Sequence, residues 1–157
     1  MRKIRLVCIG KTQAPFLKNE IDVYIKKISK YINMNYEEIK SPQYGSLSVN
    51  LCRSKETRKI LKILKNSETN IFLDVNGKKE TSLSMAHLLE KKIMLGKDRL
   101  NFFIGGAYGF EKTLLPSGVH FLSLSDMTFT HQMARLILLE QVYRAFTIIK
   151  GEPYHHN

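Results

Sequence analysis

The chain has 157 residues, of which 43% are hydrophobic and 25% charged, and it carries a formal net charge of +11. This length suits a single domain over residues 1–157, and this composition excludes a disordered chain, a disulfide scaffold and a membrane span of roughly 18 apolar residues. Residues 1–66 carry 15 of the 25 basic residues but only 5 of the 14 acidic ones, which favours a polyanion, usually a nucleic acid, as partner, with a merely solvated lysine-rich surface as the alternative.

In the first half, apolar strand patterns alternate with helical ones. Alternating apolar residues predict a strand over Lys3–Ile9, and Pro15 begins an amphipathic helix. A second strand is predicted over Asn35–Ile39, followed by a loop to about Asn50 and a helix that begins at Ser54. Five basic residues crowd the polar face of that helix: Lys55, Arg58, Lys59, Lys62 and Lys65.

The second half continues the alternation. The predicted elements are a strand over 70–75, a helix capped at Thr81 or Ser82 and closed after Leu95 by Gly96, a strand over 100–104, a short segment over 111–115, a strand over 119–124, and a helix from Thr130 to about Lys150. Asn76–Gly77 suits a hairpin turn, but the residues after it are too polar for a returning strand. This order predicts an α/β fold with a mostly parallel sheet and helices on both faces.

The last predicted helix is apolar on nearly all sides, so it must be buried on most sides. The sheet covers one face, and a symmetric homodimer is the common way to cover the remainder. Burial inside one chain is the alternative.

Few known catalytic motifs are present. The sequence lacks GxGxxG, the P-loop, HExxH and GxSxG, and neither the histidines nor Cys8 and Cys52 have metal-ligand spacing. What remains is a pattern at three strand ends, Leu73–Asp74, Gly105–Gly106 and Leu124–Phe129. In an open α/β sheet, ligands bind outside the carboxyl ends of the strands, although paired glycines can also serve only a tight turn.

Three blocks and the end of the chain resemble one family when taken together. They are Phe72–Lys78, Phe103–Gly109, Ser123–Arg144 and Pro153–His156. In combination they resemble the small bacterial methyltransferases of the SPOUT superfamily, over the whole chain. The resemblance implies a C-terminal trefoil knot, a homodimer in the cytoplasm, S-adenosylmethionine as the methyl donor, no metal, and methylation of N3 of a pseudouridine in 23S ribosomal RNA within assembled ribosomes.

The resemblance also implies site residues. The cofactor contacts fall on Leu73, Gly105, Leu124, Ser125, Asp126, Met127, Thr128 and Phe129. Tyr154 and His155 are implied catalytic residues that act on the cofactor of the partner subunit. The residues themselves add His131 and Arg135, at the start of the last helix, as further candidates for catalysis, with capping or packing as the alternative for His131. Arg135 and Arg144 are candidates for phosphate binding or for dimer contacts.

The chain departs from the family pattern at two positions, and two other functions remain open. Thr130 and Ala107 stand where the family commonly has proline, and Thr130 can cap the last helix instead. A non-catalytic RNA-binding protein would share the basic half but would need no cofactor pocket. A flavodoxin-like nucleotide module would need a phosphate-binding loop after the first strand, which the residues from Gly10 to Gln13 resemble poorly.

Overall fold

The computed structural model describes residues 2–42, 45–94 and 99–156. Its elements in chain order are β1 (Lys3–Ile9), α1 (Pro15–Ile28), β2 (Asn33–Ile39), α2 (Val49–Leu61), β3 (Thr69–Lys79), α3 (Ser82–Met94), β4 (Arg99–Ile104), a 3₁₀ turn (Lys112–Leu114), β5 (His120–Ser123) and α4 (His131–Ile149). The predicted closure of the third helix at Leu95 and Gly96 lies outside the described residues. No helix in the described ranges is both long and apolar enough to cross a membrane.

The strands form one five-stranded sheet in the order β2-β1-β4-β3-β5, and every neighbouring pair is parallel. Because side chains alternate along a strand, β1 contributes to two apolar clusters. Ile4, Leu6 and Cys8 pack with α1, α3 and α4 on one face, whereas Val7 and Ile9 pack with α2 on the other. The predicted α/β class, the parallel sheet and the helices on both faces are confirmed.

The predicted start of α2 and the predicted end of β3 were wrong by four residues or more, and β2 begins at Asn33, two residues before the predicted Asn35. The last two residues of the predicted loop, Val49 and Asn50, are already helical, so α2 begins at Val49 rather than Ser54. The Ser48 hydroxyl caps the helix by accepting a hydrogen bond from the Leu51 amide at 3.2 Å. The early start escaped the sequence pattern because the buried face of α2 includes Cys52, Glu56 and Thr57. Polar residues on a buried face hide the helical periodicity of apolar residues.

The second wrong boundary is the end of β3. The strand was predicted to end at Val75, but it continues to Lys79 after an irregularity in its pairing with β5. Both Leu73 and Lys78 stand opposite Leu122, so four residues of β3 are displaced from the ladder. The polar run after Gly77 therefore continues β3 in parallel pairing with β5, and no hairpin forms there.

Helix α4 packs against both α1 and α3. Thr130 caps it as predicted, since its hydroxyl accepts a hydrogen bond from the Met133 amide at 3.2 Å. Leu138, Leu139 and Val142 are buried against the sheet, and no residue of α4 is fully exposed. One chain thus buries much of this apolar helix by itself. The homodimer and the trefoil knot stay predictions.

Candidate functional site

A cavity of about 330 Å³ lies at the carboxyl edge of the sheet, where β3, β4 and β5 end. Its walls are the three strand-end segments singled out in the sequence, closed by His131 and Ala134 at the start of α4. Seven of the implied cofactor residues line it: Leu73, Gly105, Leu124, Ser125, Met127, Thr128 and Phe129. The eighth, Asp126, does not line it, because its side chain is exposed and pairs with Lys79.

The irregularity in β3 shapes one wall of this cavity. It displaces Asp74 and Val75 from the ladder and brings them to the cavity. Lys112 forms an ion pair with Asp74 at 2.8 Å, and the Asp74 carboxylate accepts a hydrogen bond from the Asn76 amide at 2.9 Å. These contacts hold the displaced segment beside the cavity.

Gly77 is a structural residue that the sequence reasoning missed. A Cβ atom at this position would lie 2.6 Å from the backbone of Leu122. Only glycine lets β3 approach β5 this closely. Because β5 leads directly into the segment from Leu124 to Phe129, Gly77 acts on the cavity through the position of β5. The Asn76–Gly77 pair was visible as a turn signal, but it marks a close backbone approach.

The paired glycines serve both the tight turn and the cavity wall. The Gly109 amide donates a hydrogen bond to the Gly106 carbonyl at 3.1 Å, and Gly109 has a φ of +71°. A Cβ atom at Gly105 would lie 3.1 Å from the Gly109 backbone, and one at Gly106 would lie 2.6 Å from the buried Glu56 carboxylate. A side chain at Gly105 would therefore first push against the loop itself.

The segment between β5 and α4 is held by its own hydroxyl groups. The Ser123 hydroxyl donates to the Ser125 carbonyl at 3.0 Å, and the Ser125 hydroxyl accepts from the Met127 amide at 2.9 Å. This leaves apolar side chains at the rim of the cavity, where Met127 is 74% exposed and Phe129 38%. Small-molecule pockets combine such apolar walls with a few backbone donors and acceptors.

This lining fits S-adenosylmethionine. The cavity volume is within the range of about 300–1,000 Å³ typical of ligand pockets. Apolar side chains such as Leu73 and Leu124 suit an adenine ring, and the glycine loop exposes backbone groups that can pair with polar atoms of a ligand. The described residues contain no cluster of three or more histidine, cysteine or acidic side chains that could hold a metal ion.

Arg135, in the second turn of α4, is fully buried, with 0% exposure. Its guanidinium donates to the Ile9 carbonyl at 2.8 Å and to the Thr12 hydroxyl at 2.9 Å, and it pairs with Glu38 at 3.3 Å. Partial burial raises the pKa of Glu38, but hydrogen bonds from Thr12 and Tyr36 and the Arg135 charge outweigh it and lower that pKa overall. Arg135 therefore joins α4 to β1 and β2. Because its side chain is fully buried, it cannot contact an RNA phosphate in this structure.

His131 occupies the first position of α4 and lines the cavity. Burial lowers the pKa of its imidazole, and the nearby Arg135 charge lowers it further. The neutral form of His131 is therefore favoured at neutral pH.

Tyr154 and His155 do not line the cavity of their own chain. The Tyr154 ring packs on Tyr143 and on the Arg144 guanidinium, and its hydroxyl donates to Glu140 at 3.1 Å. Arg144 also approaches the His155 ring nitrogen at 3.4 Å and pairs with Glu140 at 2.5 Å. The two tail residues thus lie together on α4, beyond the turns that border the cavity.

Comparison with known proteins finds similar sequences over nearly the whole chain. A family model described as "Predicted SPOUT methyltransferase" matches residues 2–155. A protein of Christiangramia forsetii is 44% identical over 98% of both chains. A protein of Acetivibrio thermocellus is 40% identical over 98% of this chain and 99% of its own, and one of Porphyromonas gingivalis is 40% identical over the same shares. All three are named "Ribosomal RNA large subunit methyltransferase H".

Proposed function

The chain belongs to the SPOUT methyltransferase family, and from this premise we propose that it methylates N3 of a pseudouridine in 23S ribosomal RNA with S-adenosylmethionine as donor. The observation that carries the proposal is the convergence of the three strand-end segments on one cavity at the carboxyl edge of the sheet. An assembled ribosome is the proposed substrate particle, which would place the enzyme in the cytoplasm.

The donor supplies an electrophilic methyl group on a sulfonium centre. Transfer breaks the S–CH₃ bond, forms an N3–CH₃ bond and releases the N3 proton. The protein has to exclude water, hold N3 in line with the methyl group and give the proton a base. The apolar rim formed by Met127 and Phe129 supports the first task.

We assign the proton step to the tail of a second copy of the chain, in a homodimer. Burial raises the pKa of Tyr154, so its hydroxyl keeps its proton, and in the proposed complex it donates a hydrogen bond to the substrate in place of Glu140. His155, held beside it by Arg144, is then the proposed base. Because both residues lie away from the cavity of their own chain, a homodimer is required to bring them to a bound cofactor.

The basic face of α2 is a further argument for RNA as the substrate. Lys55 and Arg58 are exposed on this helix, and Lys62 is exposed at its C-cap. Lys65, which was predicted on the same face, lies beyond the end of the helix at Leu61. Lys59 donates to the Lys40 carbonyl at 2.6 Å, which joins α2 to the end of β2. We expect this face to contact ribosomal RNA phosphates.

Methyl transfer is tested with S-adenosylmethionine labelled in its methyl group and with ribosomes that lack the modification. The expected product is a labelled methylpseudouridine in the nucleosides of 23S RNA. His155→Gln should lower kcat by about 10²–10⁴, as loss of a general base does, while the matched control His156→Gln stays near the wild-type rate. A folded wild-type protein that binds ribosomes without transferring label would instead be a non-catalytic RNA-binding protein.

The RNA contact is tested separately. Replacing Lys55, Lys59 and Lys62 together by glutamine should raise KM for ribosomes and flatten the salt dependence of binding by about 0.7–0.9 in log–log slope per lost phosphate contact. The affinity for S-adenosylmethionine should not change. Wild-type kinetics of the triple variant at every salt concentration would show that this face is only solvated.

A further inference from the structure

A second, larger cavity of about 600 Å³ lies beside the cofactor cavity, at the carboxyl ends of β1 and β2. The two cavities share the wall formed by Gly106 and Ala107, and His131 lines both. The proposed function leaves this second cavity without a role. A cavity whose lining shares residues with the donor cavity, among them the exposed Ala107, adjoins that cavity and is placed to receive the methyl acceptor.

The charges around the second cavity favour an anionic ligand. Lys11 and Lys40 line it with exposed side chains. Glu38 also lines it, but its charge is balanced by the Arg135 guanidinium at 3.3 Å. The buried Glu56 carboxylate lies behind Gly106 and accepts a hydrogen bond from the Ser41 hydroxyl at 3.0 Å. Lys59, bonded to the Lys40 carbonyl, adds a further cation at the edge, so basic groups outnumber acidic ones.

The loop that carries Lys11 is fixed by side chains of α4. Gln132 accepts a hydrogen bond from the Gln13 amide at 2.8 Å and donates one to the Lys11 carbonyl at 3.1 Å. Arg135 bonds Ile9 and Thr12 on either side of the same loop. The loop is thus positioned by the helix whose first residues border the cofactor cavity, so the site is built before the substrate arrives. Fixed donors reduce the ordering cost of binding.

We propose that this second cavity is the subsite for the target ribonucleotide. Its flanking phosphates lie against Lys11 and Lys40, and its base faces the methyl donor past Gly106, Ala107 and His131. The exposed side-chain amide of Gln13 faces the sugar or the base edge, while Gln132 holds the loop in place. This inference rests on the proposed function, because it assigns the acceptor side of the same reaction. The basic face of α2 leads into this cavity through the contact between Lys59 and Lys40.

The first test measures kinetics of the full-length protein on ribosomes with Lys11→Gln, Lys40→Gln and the double variant. Each lost phosphate contact should flatten the salt dependence of binding by about 0.7–0.9 in log–log slope, and the double variant should raise KM about tenfold or more. Its kcat and its calorimetric affinity for S-adenosylmethionine should stay within about twofold of wild type. The matched control is Lys30→Gln. Lys30 is exposed and lies between α1 and β2, near the amino ends of the strands and away from the cavity.

The outcomes separate this inference from the proposed function. Active wild-type enzyme with an unchanged KM in the double variant overturns the nucleotide subsite and leaves the methyltransferase intact. If wild-type enzyme transfers no methyl group, the proposed function fails, and the cavity is then judged by a second measurement. Pseudouridine 5′-monophosphate added to ¹⁵N-labelled protein should shift the amide resonances of Lys11, Gln13 and Ser41. Shifts elsewhere, or none at millimolar nucleotide, contradict the subsite.

Discussion

Replacing Arg135 by methionine should destabilise the protein. It should not remove a direct contact with RNA, because Arg135 is fully buried. The side chain is fully buried and bonds Ile9, Thr12 and Glu38. Methionine keeps much of the volume but removes the charge and all of these hydrogen bonds. The Ile9 carbonyl then loses a buried partner, and Glu38 loses its counter-ion.

The magnitude follows from this burial. Removing one partner of a buried ion pair costs about 3–5 kcal/mol. The Glu38 side chain remains 22% exposed, so water relieves part of the loss, and we expect about 2–4 kcal/mol. At about 2–4 °C per kcal/mol for a chain of this size, Tm should fall by about 4–16 °C. Of a typical total of about 5–15 kcal/mol, this is a large share.

The assay is urea unfolding at one fixed protein concentration, with Arg144→Met as the control. Arg144 also pairs with a glutamate, Glu140, but its side chain is 24% exposed and the pair is an (i, i+4) contact within α4. Such a pair contributes only about 0.3–0.5 kcal/mol. The reasoning would be refuted if the free energy of unfolding of Arg135→Met were within about 0.5 kcal/mol of wild type and its ribosome binding were weakened. Arg135 would then be a phosphate-binding residue rather than a buried structural one.

Three further predictions concern the cavity, the helix start and the assembly. Gly77→Ala should weaken S-adenosylmethionine binding, measured by calorimetry, by at least about tenfold, because its Cβ would meet the Leu122 backbone at 2.6 Å and displace β5. Asn76→Ala is the control, and equal affinities of Gly77→Ala and wild type would contradict the mechanism. Burial lowers the pKa of His131 below its ordinary 6.5, so the unfolded chain takes up this proton first. The free energy of unfolding should therefore decrease as the pH falls through about 6.5, and less so in His131→Gln; an identical pH dependence of the free energy of unfolding in the two proteins, measured with urea, would contradict it. Light scattering at micromolar concentration should give about twice the 18.2 kDa chain mass, and a monomeric mass would overturn the homodimer.

β1 and β4 were predictable because each is a short run rich in apolar residues. β1 matches its prediction over Lys3–Ile9, and β4 differs by one residue at its start. The cavity wall at the strand ends was also predictable, since the ends of parallel strands meet at one edge of the sheet. Only Asp126 left the wall, because its exposed side chain pairs with Lys79.

Other features depend on contacts that no local pattern encodes. The partners of Arg135 lie 97 to 126 positions away in the chain, so its burial has no sequence signal. The continuation of β3 past Gly77 depends on β5, which lies about 40 residues further on. The second cavity combines Lys11 and Lys40, which are separated in sequence and meet only because β1 and β2 are neighbours.

Calorimetric titration of S-adenosylmethionine into the purified protein tests most directly whether the strand-end cavity is the methyl-donor site. The cavity account predicts saturable binding to wild-type protein and its loss in Gly105→Val, whose side chain would push against Gly109 and distort the loop that lines the cavity. Circular dichroism of the variant confirms that it is folded. Absence of binding to folded wild-type protein at millimolar S-adenosylmethionine, or wild-type affinity in the folded variant, would contradict the account.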